Sequence, residues 1–164
     1  MDDDTYTILG CITKYKADDI RPYVESIEQT GFKGRKVMLV YDVPKETIDY
    51  LKSKGWDLYG GELQQHIILQ RFRDLYKLLG SEIKGTVIWT DVKDVIFQVD
   101  PTQWIDYNME DDILCFSECI KFKDDPWACV NAGTSFPMEW EWLQNKTSYC
   151  AGTIVGEAEY LRDL

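Results

Sequence analysis

Five short segments of the chain are rich in consecutive apolar residues and are bounded by polar ones. Uninterrupted apolar runs of this length are typical of strands that are buried on both faces. They predict strands at residues 6–12 (YTILGCI), 36–41 (KVMLVY), 56–59 (WDLY), 86–90 (TVIWT) and 112–118 (DILCFSE). Gly60 and Gly61 follow the third run and are expected to break the chain there.

Between these runs, apolar residues recur at helical spacing. Asp18 or Asp19 is expected to cap the first helix, and Gly31 to end it. Pro22 is expected in the first turn of that helix, where its missing N–H costs little. The remaining pattern predicts helices from Pro44 to Gly55, from Leu63 to Leu79 and around 139–144, and a last strand from Thr153 that turns into a helix.

The alternation of strands and helices predicts an α/β fold, a mostly parallel sheet with helices on both faces. The length of 164 residues suits one domain. In parallel sheets of this kind, ligands bind beyond the carboxyl ends of the strands. The residues to consider first are therefore 13–16, 42–44, 91–94 and the segment that begins at Glu118.

The chain carries a strong excess of negative charge. Its 18 Lys and Arg residues stand against 29 Asp and Glu residues, which gives a net charge of −11. Such a surface repels phosphate backbones and anionic lipid, so nucleic acid is not an expected partner. A phosphorylated small molecule would need a local cation in its binding site to offset the negative field.

Features that bear on location point to the cytoplasm. No apolar stretch reaches the roughly 18 residues that span a bilayer, so no transmembrane segment is expected. The opening residues, MDDDTYT, have neither the basic nor the apolar region of a signal peptide. The 5 cysteines form no C-x-x-C pair, which suits reduced thiols in a cytoplasmic protein.

The segment with the strongest chemical signal is VIWTDVKDVIFQVDP, residues 87–101. An apolar strand leads directly to Asp91 and Asp94, whose carboxylates repel each other and together suit a hard divalent cation. Lys93 stands between them and has the reach to contact a phosphate oxygen. The same letters also fit a solvated acidic turn in which Lys93 forms a weak ion pair.

This segment resembles the acidic D-x-D motif of GT-A glycosyltransferases, which follows an apolar strand in the nucleotide-binding part of an α/β domain. The run TDVKDVIFQVDP, the pair Arg71-Phe72 and the element CAGTIVG at 150–156 are similar to a set of glycosyltransferases that includes enzymes of large algal viruses. The resemblance covers about residues 6–160. It implies one GT-A domain over 1–164, with the nucleotide-binding part at about 1–100 and the acceptor side at about 101–164. A viral chain would act in the host cytoplasm.

The resemblance further implies a nucleotide-sugar donor, such as a UDP-sugar, and a divalent cation, Mn²⁺ or Mg²⁺, that holds its diphosphate. Asp91 would be the first metal ligand, and Asp94 a second ligand or a residue that braces Asp91. Lys93 occupies the third position of the usual D-x-D and is expected to share the charge role. The metal would stabilise the departing nucleoside diphosphate while a hexosyl or deoxyhexosyl group passes to a hydroxyl of a glycan or small acceptor.

Other side chains are expected at the donor site because of their positions after strands. Thr13, Lys14 and Tyr15 follow the first strand and are expected to line the pocket for the base and ribose. Thr90 ends the strand that precedes the acidic motif, and we assign it to the same pocket.

Two further donor-site candidates have equally good structural explanations. Asp42 either hydrogen-bonds a ribose hydroxyl or the base, or caps the helix that begins near Pro44. Arg71 either forks onto a phosphate or carboxylate, or pairs with Asp74 three residues later.

Three further candidates lie in the part of the chain at about 101–164: a catalytic base and two nucleotide-sugar contacts. Glu118 is placed at the end of the fifth strand and is the candidate general base for the acceptor hydroxyl of an inverting enzyme. A retaining enzyme would need no such base. The competing carboxylates are Asp124, Asp125, Glu139 and Glu141. Asn131 and Gly152 lie in the similar segments NAGT and CAGT. Small residues there would let the backbone approach a sugar closely, or would form tight turns.

Two other functions are compatible with the same half of the fold. A non-catalytic module would bind a nucleotide or a sugar without turnover. A sugar nucleotidyltransferase would need a glycine-rich loop with Arg or Lys after the first strand, and CITKYKADD has no glycine there.

Overall fold

Strands and helices alternate through residues 5–110 and 112–163, the part of the chain that the computed structural model describes. The first half of the chain contains β1 (Tyr6–Thr13), α1 (Ala17–Thr30), β2 (Arg35–Tyr41), α2 (Lys45–Ser53), β3 (Asp57–Gly61), α3 (Ile67–Leu78) and β4 (Thr86–Thr90). The second half contains α4 (Thr102–Asn108), β5 (Ile113–Lys121), a 3₁₀ turn (Phe122–Asp124), α5 (Pro126–Ser135), α6 (Trp140–Leu143), β6 (Thr147–Glu157) and α7 (Ala158–Asp163).

Six strands form one sheet in the order β3-β2-β1-β4-β6-β5. Strand β1 is parallel to both of its neighbours, β2 and β4, and β2 is parallel to β3. The sheet is mostly parallel and is flanked by helices, which confirms the predicted α/β class. No helix within the described ranges combines the length and the apolar character needed to cross a membrane.

Contacts divide the chain into two compact units. The first extends to residue 114 and resumes at residue 155, so it holds β1 to β4, α1 to α4 and α7. The second, residues 115–154, holds α5, α6 and most of β5 and β6.

The core of the first unit explains why its strands read as continuous apolar runs. Consecutive residues Ile8 and Leu9 of β1 are both fully buried, which requires cover on both faces of the sheet. All residues of β4 are buried as well. Burial of each Leu, Ile or Val side chain contributes roughly 1.5–3 kcal/mol. One face packs against α3 through a cluster that includes Leu9, Leu39, Leu75, Leu79, Val87 and Trp89.

Helix α1 differs from its prediction at the amino end. It begins at Ala17, and the carboxylate of Asp19 accepts a 2.9 Å hydrogen bond from the backbone N–H of Lys16. Pro22 therefore lies in the second turn rather than the first. The helix ends as predicted, because Gly31 adopts the left-handed conformation at φ 78° and its N–H bonds back to Glu28.

The end of β3 also differs from its prediction. Gly60 and Gly61 do not break the chain but extend β3, pairing with Val40 and Tyr41 of β2. A Cβ on Gly60 would lie 2.3 Å from the carbonyl oxygen of Val40, so only glycine fits this approach.

The third helix begins at Ile67 and not at Leu63 as predicted. The side chain of Gln70 explains the difference. Its Oε1 accepts hydrogen bonds from the backbone N–H groups of Gln64 and Gln65, and its Nε2 donates to the carbonyl of Glu62. These bonds satisfy the segment as a turn and compete with a further helical turn.

Helices α4 and α5 were not predicted. Helix α5 begins at Pro126 because Asp125 caps it, accepting hydrogen bonds from the N–H groups of Trp127 and Ala128. Strand β5 continues to Lys121, three residues past its predicted end, and β6 begins at Thr147, six residues before Thr153.

Candidate functional site

A cleft of about 600 Å³ opens at the carboxyl ends of β1 and β4, where parallel sheets bind ligands. Its volume is within the range of small-molecule sites. Strand β1 contributes Thr13, its last residue, and β4 leads directly to Asp91. The cleft is lined by Cys11, Thr13, Tyr15, Ile67, Arg71, Asp91, Val92, Lys93 and Asp94. Six of these nine were predicted as donor-site residues.

The principal polar contact in the cleft joins Arg71 to Asp91. Nη1 of Arg71, on α3, donates to Oδ1 of Asp91 across 3.2 Å. The guanidinium also lies 5.0 Å from the ring of Phe72 and 5.8 Å from that of Trp89, so aromatic faces hold it in place. Arg71 thus contacts a carboxylate, and it does so at the acidic motif rather than at Asp74.

The other two charged side chains of the cleft are more exposed. The Nζ of Lys93 lies 5.8 Å above the ring of Tyr15, and no ion pair of Lys93 is formed within the described ranges. Asp94 is exposed and lines the same cleft. Two positive and two negative side chains therefore surround the opening.

Two buried polar atoms of cleft residues have no hydrogen-bond partner among the described residues: Oγ1 of Thr13 and Nε of Arg71. A buried donor or acceptor without a partner is costly, and native proteins pair nearly all such groups with protein, water or ligand. One donor, the N–H of Arg71, and one donor-acceptor group, the hydroxyl of Thr13, are thus left without a protein partner at the cleft.

The donor set in the cleft fits a hard divalent cation. Asp91 and Asp94 offer carboxylate oxygens, which Mg²⁺ and Mn²⁺ prefer, and Mg²⁺ in proteins commonly uses one or two carboxylates together with water and substrate phosphates. Within the ranges that the structure describes, no group of three or more His, Cys, Asp and Glu side chains is placed to hold a metal. The remaining ligands would therefore come from the substrate and from water.

Cys11 forms part of the cleft wall and was not predicted. Burial raises the pKa of its thiol to about 12, although the nearby charge of Arg71 acts in the opposite direction. The thiol is therefore neutral at physiological pH and is a poor metal ligand or nucleophile. Its sequence signal was the period-2 spacing from Thr13 on β1.

Ile67 and Val92 also line the cleft without having been predicted. Ile67 precedes Arg71 by one helical turn, and Val92 lies inside the acidic motif. Helical spacing from Arg71 was the available signal for Ile67. Val92 is 3% exposed, so its side chain supports the cleft more than it contacts a ligand.

Five predicted donor-site residues are not part of the cleft wall, and three of them lie in the first unit. The hydroxyl of Thr90 is buried and lies 2.7 Å from the hydroxyl of Tyr23, so it is committed to the core. Lys14 and Asp42 are exposed and adopt positive φ angles of 58° and 51°. The capping interpretation of Asp42 is wrong, because Pro44 is the N-cap of α2 and no side chain caps that helix.

The acceptor-side candidates belong to the second unit. Glu118 is exposed inside β5 and does not end it, and its carboxylate contacts the thiol of Cys150. Asn131 lies in α5, where its Nδ2 donates to the carbonyl of Trp127 across 2.8 Å. Gly152 lies in β6. The tight turns suggested for these two segments are therefore wrong.

The search of solved structures finds glycosyltransferases, whereas no protein-family profile and no curated protein sequence matches the chain. Mannosyltransferase PcManGT from Pyrobaculum calidifontis, in complex with GDP-Man and Mn²⁺, aligns with 97% of this chain at 13% identity and a TM-score of 0.57. Galactosyltransferase LgtC, with donor and acceptor sugar analogues, aligns with 96% at 12% identity and 0.63. Mannosyl-3-phosphoglycerate synthase from Rubrobacter xylanophilus aligns with 95% at 12% identity and 0.63.

The chain covers 46%, 60% and 54% of these three structures, so it spans about half of their length. Identities of 12 to 13% establish likeness of fold alone. The α/β architecture of this chain, with its mostly parallel sheet of six strands, is that of the GT-A glycosyltransferases.

Proposed function

We propose that the chain is a glycosyltransferase domain that moves a hexosyl or deoxyhexosyl group from a nucleotide-diphosphate donor, a UDP-sugar, to the hydroxyl of a glycan or small acceptor. The observation that carries the proposal is the cleft at the ends of β1 and β4, which combines the TDVKD acidic motif with Arg71 in a GT-A fold. The proposed location is the cytoplasm.

The roles of the cleft residues follow from their chemistry. Thr13 and Tyr15 are proposed to bind the base and ribose. Thr13 has a hydroxyl without a partner among the described residues, and Tyr15 has an aromatic ring at the cleft. Arg71 and Lys93 are proposed to face the diphosphate, since both are cations in a chain of net charge −11. Lys14 and Asp42 remain proposed contacts for the nucleotide outside the cleft wall, and Thr90 is proposed to position Asp91 from the core.

Asp91 and Asp94 are proposed to hold Mn²⁺ or Mg²⁺. A divalent cation bound there would supply Lewis-acid stabilisation of the negative charge that develops on the leaving nucleoside diphosphate. The protein's own part is to orient the diphosphate with Arg71 and Lys93. Glu118 is proposed to take the proton of the acceptor hydroxyl, and Asn131 and Gly152 to contact the nucleotide-sugar.

Calorimetric titration of UDP, and then of GDP, with and without Mn²⁺ tests the donor site. We expect micromolar binding of UDP to the wild type in the presence of Mn²⁺. Asp91→Ala removes a proposed metal ligand and is expected to weaken this binding at least tenfold, by roughly 1.4 kcal/mol or more. Asp49→Ala is the matched control, because it removes an exposed carboxylate on α2 and should leave binding unchanged.

Turnover separates the proposal from its alternatives. A glycosyltransferase hydrolyses some UDP-sugar slowly even without an acceptor, and Glu118→Gln is expected to lower transfer while leaving UDP affinity unchanged. Binding without any hydrolysis or transfer would favour a nucleotide- or sugar-binding module. Formation of UDP-sugar from UTP and a sugar phosphate would favour a nucleotidyltransferase. Absence of UDP and GDP binding under every metal condition would contradict the proposed donor site.

A further inference from the structure

The charges of the four charged side chains that line the cleft sum to zero before any ligand is bound. Arg71 and Lys93 contribute two positive charges, and Asp91 and Asp94 contribute two negative ones. The cleft is thus electrically balanced inside a chain whose net charge is −11. A divalent cation alone, or a diphosphate alone, would disturb that balance by two or more charges.

We propose that this balance couples the binding of the divalent cation to the binding of the diphosphate, and that Arg71 is the residue responsible for the coupling. The inference rests on the proposed function and adds to it an order of events. The metal binds weakly to the empty cleft and tightly only together with the diphosphate.

The contact between Arg71 and Asp91 gives the physical reason. A cation that approaches Asp91 meets a guanidinium whose Nη1 lies 3.2 Å from Oδ1 of the same carboxylate. Like charges at such distances repel. The Arg71 side chain is only 18% exposed, so solvent screens its charge less than that of the Asp91 side chain, which is 47% exposed. A diphosphate beside the guanidinium supplies the negative charge that offsets both cations.

Arg71 rather than Lys93 carries this effect because its charge is fixed in place. The rings of Phe72 and Trp89 lie 5.0 and 5.8 Å from the guanidinium carbon. Lys93 is exposed on a flexible stem, so its ammonium can move into solvent when a metal binds. The buried Nε of Arg71 also lacks an acceptor among the described residues.

The test measures Mn²⁺ affinity from the electron paramagnetic resonance signal of free Mn²⁺, with and without UDP. Arg71→Gln removes the charge, and Arg71→Met removes it while keeping a long apolar stem beside the rings. Arg71→Lys retains the charge. Arg73→Gln is the matched control, since it removes an exposed arginine two residues away on the same helix. Thermal unfolding verifies that each variant is folded.

We expect Arg71→Gln and Arg71→Met to bind Mn²⁺ alone about tenfold more tightly than the wild type. The increase in Mn²⁺ affinity that UDP causes should be about tenfold smaller in these two variants. Arg73→Gln should behave like the wild type. Arg71→Lys should fall between the wild type and the neutral variants, because it keeps the charge on a more flexible stem. If UDP increases Mn²⁺ affinity equally in the wild type and in both neutral variants, the role of Arg71 in the coupling is overturned. The proposed donor site would still stand. An equal effect of Arg73→Gln would also overturn that role of Arg71, because net charge would then be the cause. Failure of the wild type to bind UDP or GDP at any Mn²⁺ concentration would instead overturn the proposed function and the coupling with it.

Discussion

The hydroxyl of Tyr41, at the end of β2, donates a 2.7 Å hydrogen bond to Oδ2 of Asp74 on α3. Asp74 also accepts a 2.9 Å bond from Lys77. These partners engage the carboxylate that sequence spacing offered to Arg71 three residues earlier. Arg71 instead pairs with Asp91. A residue outside the cleft thus fixes the helix that carries the cleft's guanidinium.

Replacement of Asp74 by Asn is expected to lower stability by about 1 kcal/mol, because two hydrogen bonds lose the charge that strengthens them. Partial burial acts to raise the pKa of Asp74, but bonds from Lys77 and Tyr41 outweigh it and hold the pKa below its ordinary value of 3.8. A carboxyl with a lowered pKa stabilises the fold above its unfolded pKa and stops doing so as pH falls through its folded pKa.

Urea unfolding of the wild type and of Asp74→Asn at a series of pH values measures the contribution of Asp74 to stability. The difference in free energy of unfolding should be constant from neutral pH to about pH 5 and should shrink as pH falls below about 4. Asp49→Asn, on an exposed face of α2, should show no such difference. A difference that grows on acidification would contradict the assignment.

The hydroxyls of Tyr23 and Thr90, 2.7 Å apart in the core, give a second prediction. Tyr23→Phe retains the ring, which packs on Phe97 at 5.8 Å, but leaves Oγ1 of Thr90 buried without a partner. We expect a loss of about 1–3 kcal/mol from this change alone. Thr90→Val should cost a similar amount by orphaning the phenol.

The double variant distinguishes the hydrogen bond from simple packing. Removal of both hydroxyls leaves no unpaired group, so Tyr23→Phe with Thr90→Val should be less destabilised than the sum of the single changes. Because Thr90 precedes Asp91, the single variants should also weaken UDP binding while the double variant recovers part of it. Strictly additive free energies of unfolding would show that the two hydroxyls do not interact.

The parallel sheet was predictable because its signal is local. Each of β1, β2 and β4 is buried on both faces, and a short apolar run such as TVIWT is typical of such a strand. The acidic motif was predictable for the same reason, since an apolar strand leads into it. The sequence did not decide which partner Arg71 contacts, because its spacing from Asp74 suits an ion pair equally well. The hydrogen bond from Tyr41 that engages Asp74 spans 33 positions and has no local sequence signal.

The second unit was harder to predict because its signals conflict. The segment from Asn131 to Thr134, with its glycine, suggested a tight turn, yet it lies in α5. The deciding interaction is the capping of the helix by Asp125, which makes Pro126 a favourable first residue. Thr90 shows the opposite error, since its place at a strand end suggested a ligand contact and its hydroxyl bonds within the core.

Gly133 offers a direct test of α5. In a helix, replacement of glycine by alanine is expected to stabilise the protein by about 0.5–1 kcal/mol, because the unfolded chain loses freedom. A Cβ at this position would lie 3.6 Å from the ring of Trp140, which is an ordinary contact. Urea unfolding of Gly133→Ala should therefore show a gain.

Gly31→Ala is the matched comparison. Its added Cβ would meet nothing within 4 Å, but the residue has φ 78°, so alanine there is strained. A loss of about 1 kcal/mol is expected. A comparable loss at Gly133 would mean that it, too, requires a left-handed backbone, and that residues 131–134 form a turn after all.

Alkylation of the cysteines gives the last prediction. The pKa of Cys11 is raised to about 12 by burial, against an ordinary value of 9.0. At pH 8 its reactive thiolate would be only about one part in ten thousand, compared with about a tenth for an ordinary thiol. Cys115 and Cys119 are exposed, so iodoacetamide should label them long before Cys11, as peptide mass spectrometry can measure.

Labelling of Cys11 should increase as pH approaches 11, because ionisation and not access limits a thiol that lines an open cleft. In urea, all the cysteines should react alike. Rapid labelling of Cys11 at pH 8 in the folded protein would mean that the floor of the cleft is hydrated, or that the charge of Arg71 prevails over burial. In the first case the guanidinium would be better screened than the coupling of metal and diphosphate requires. In the second case its charge would act strongly within the cleft, as that coupling requires.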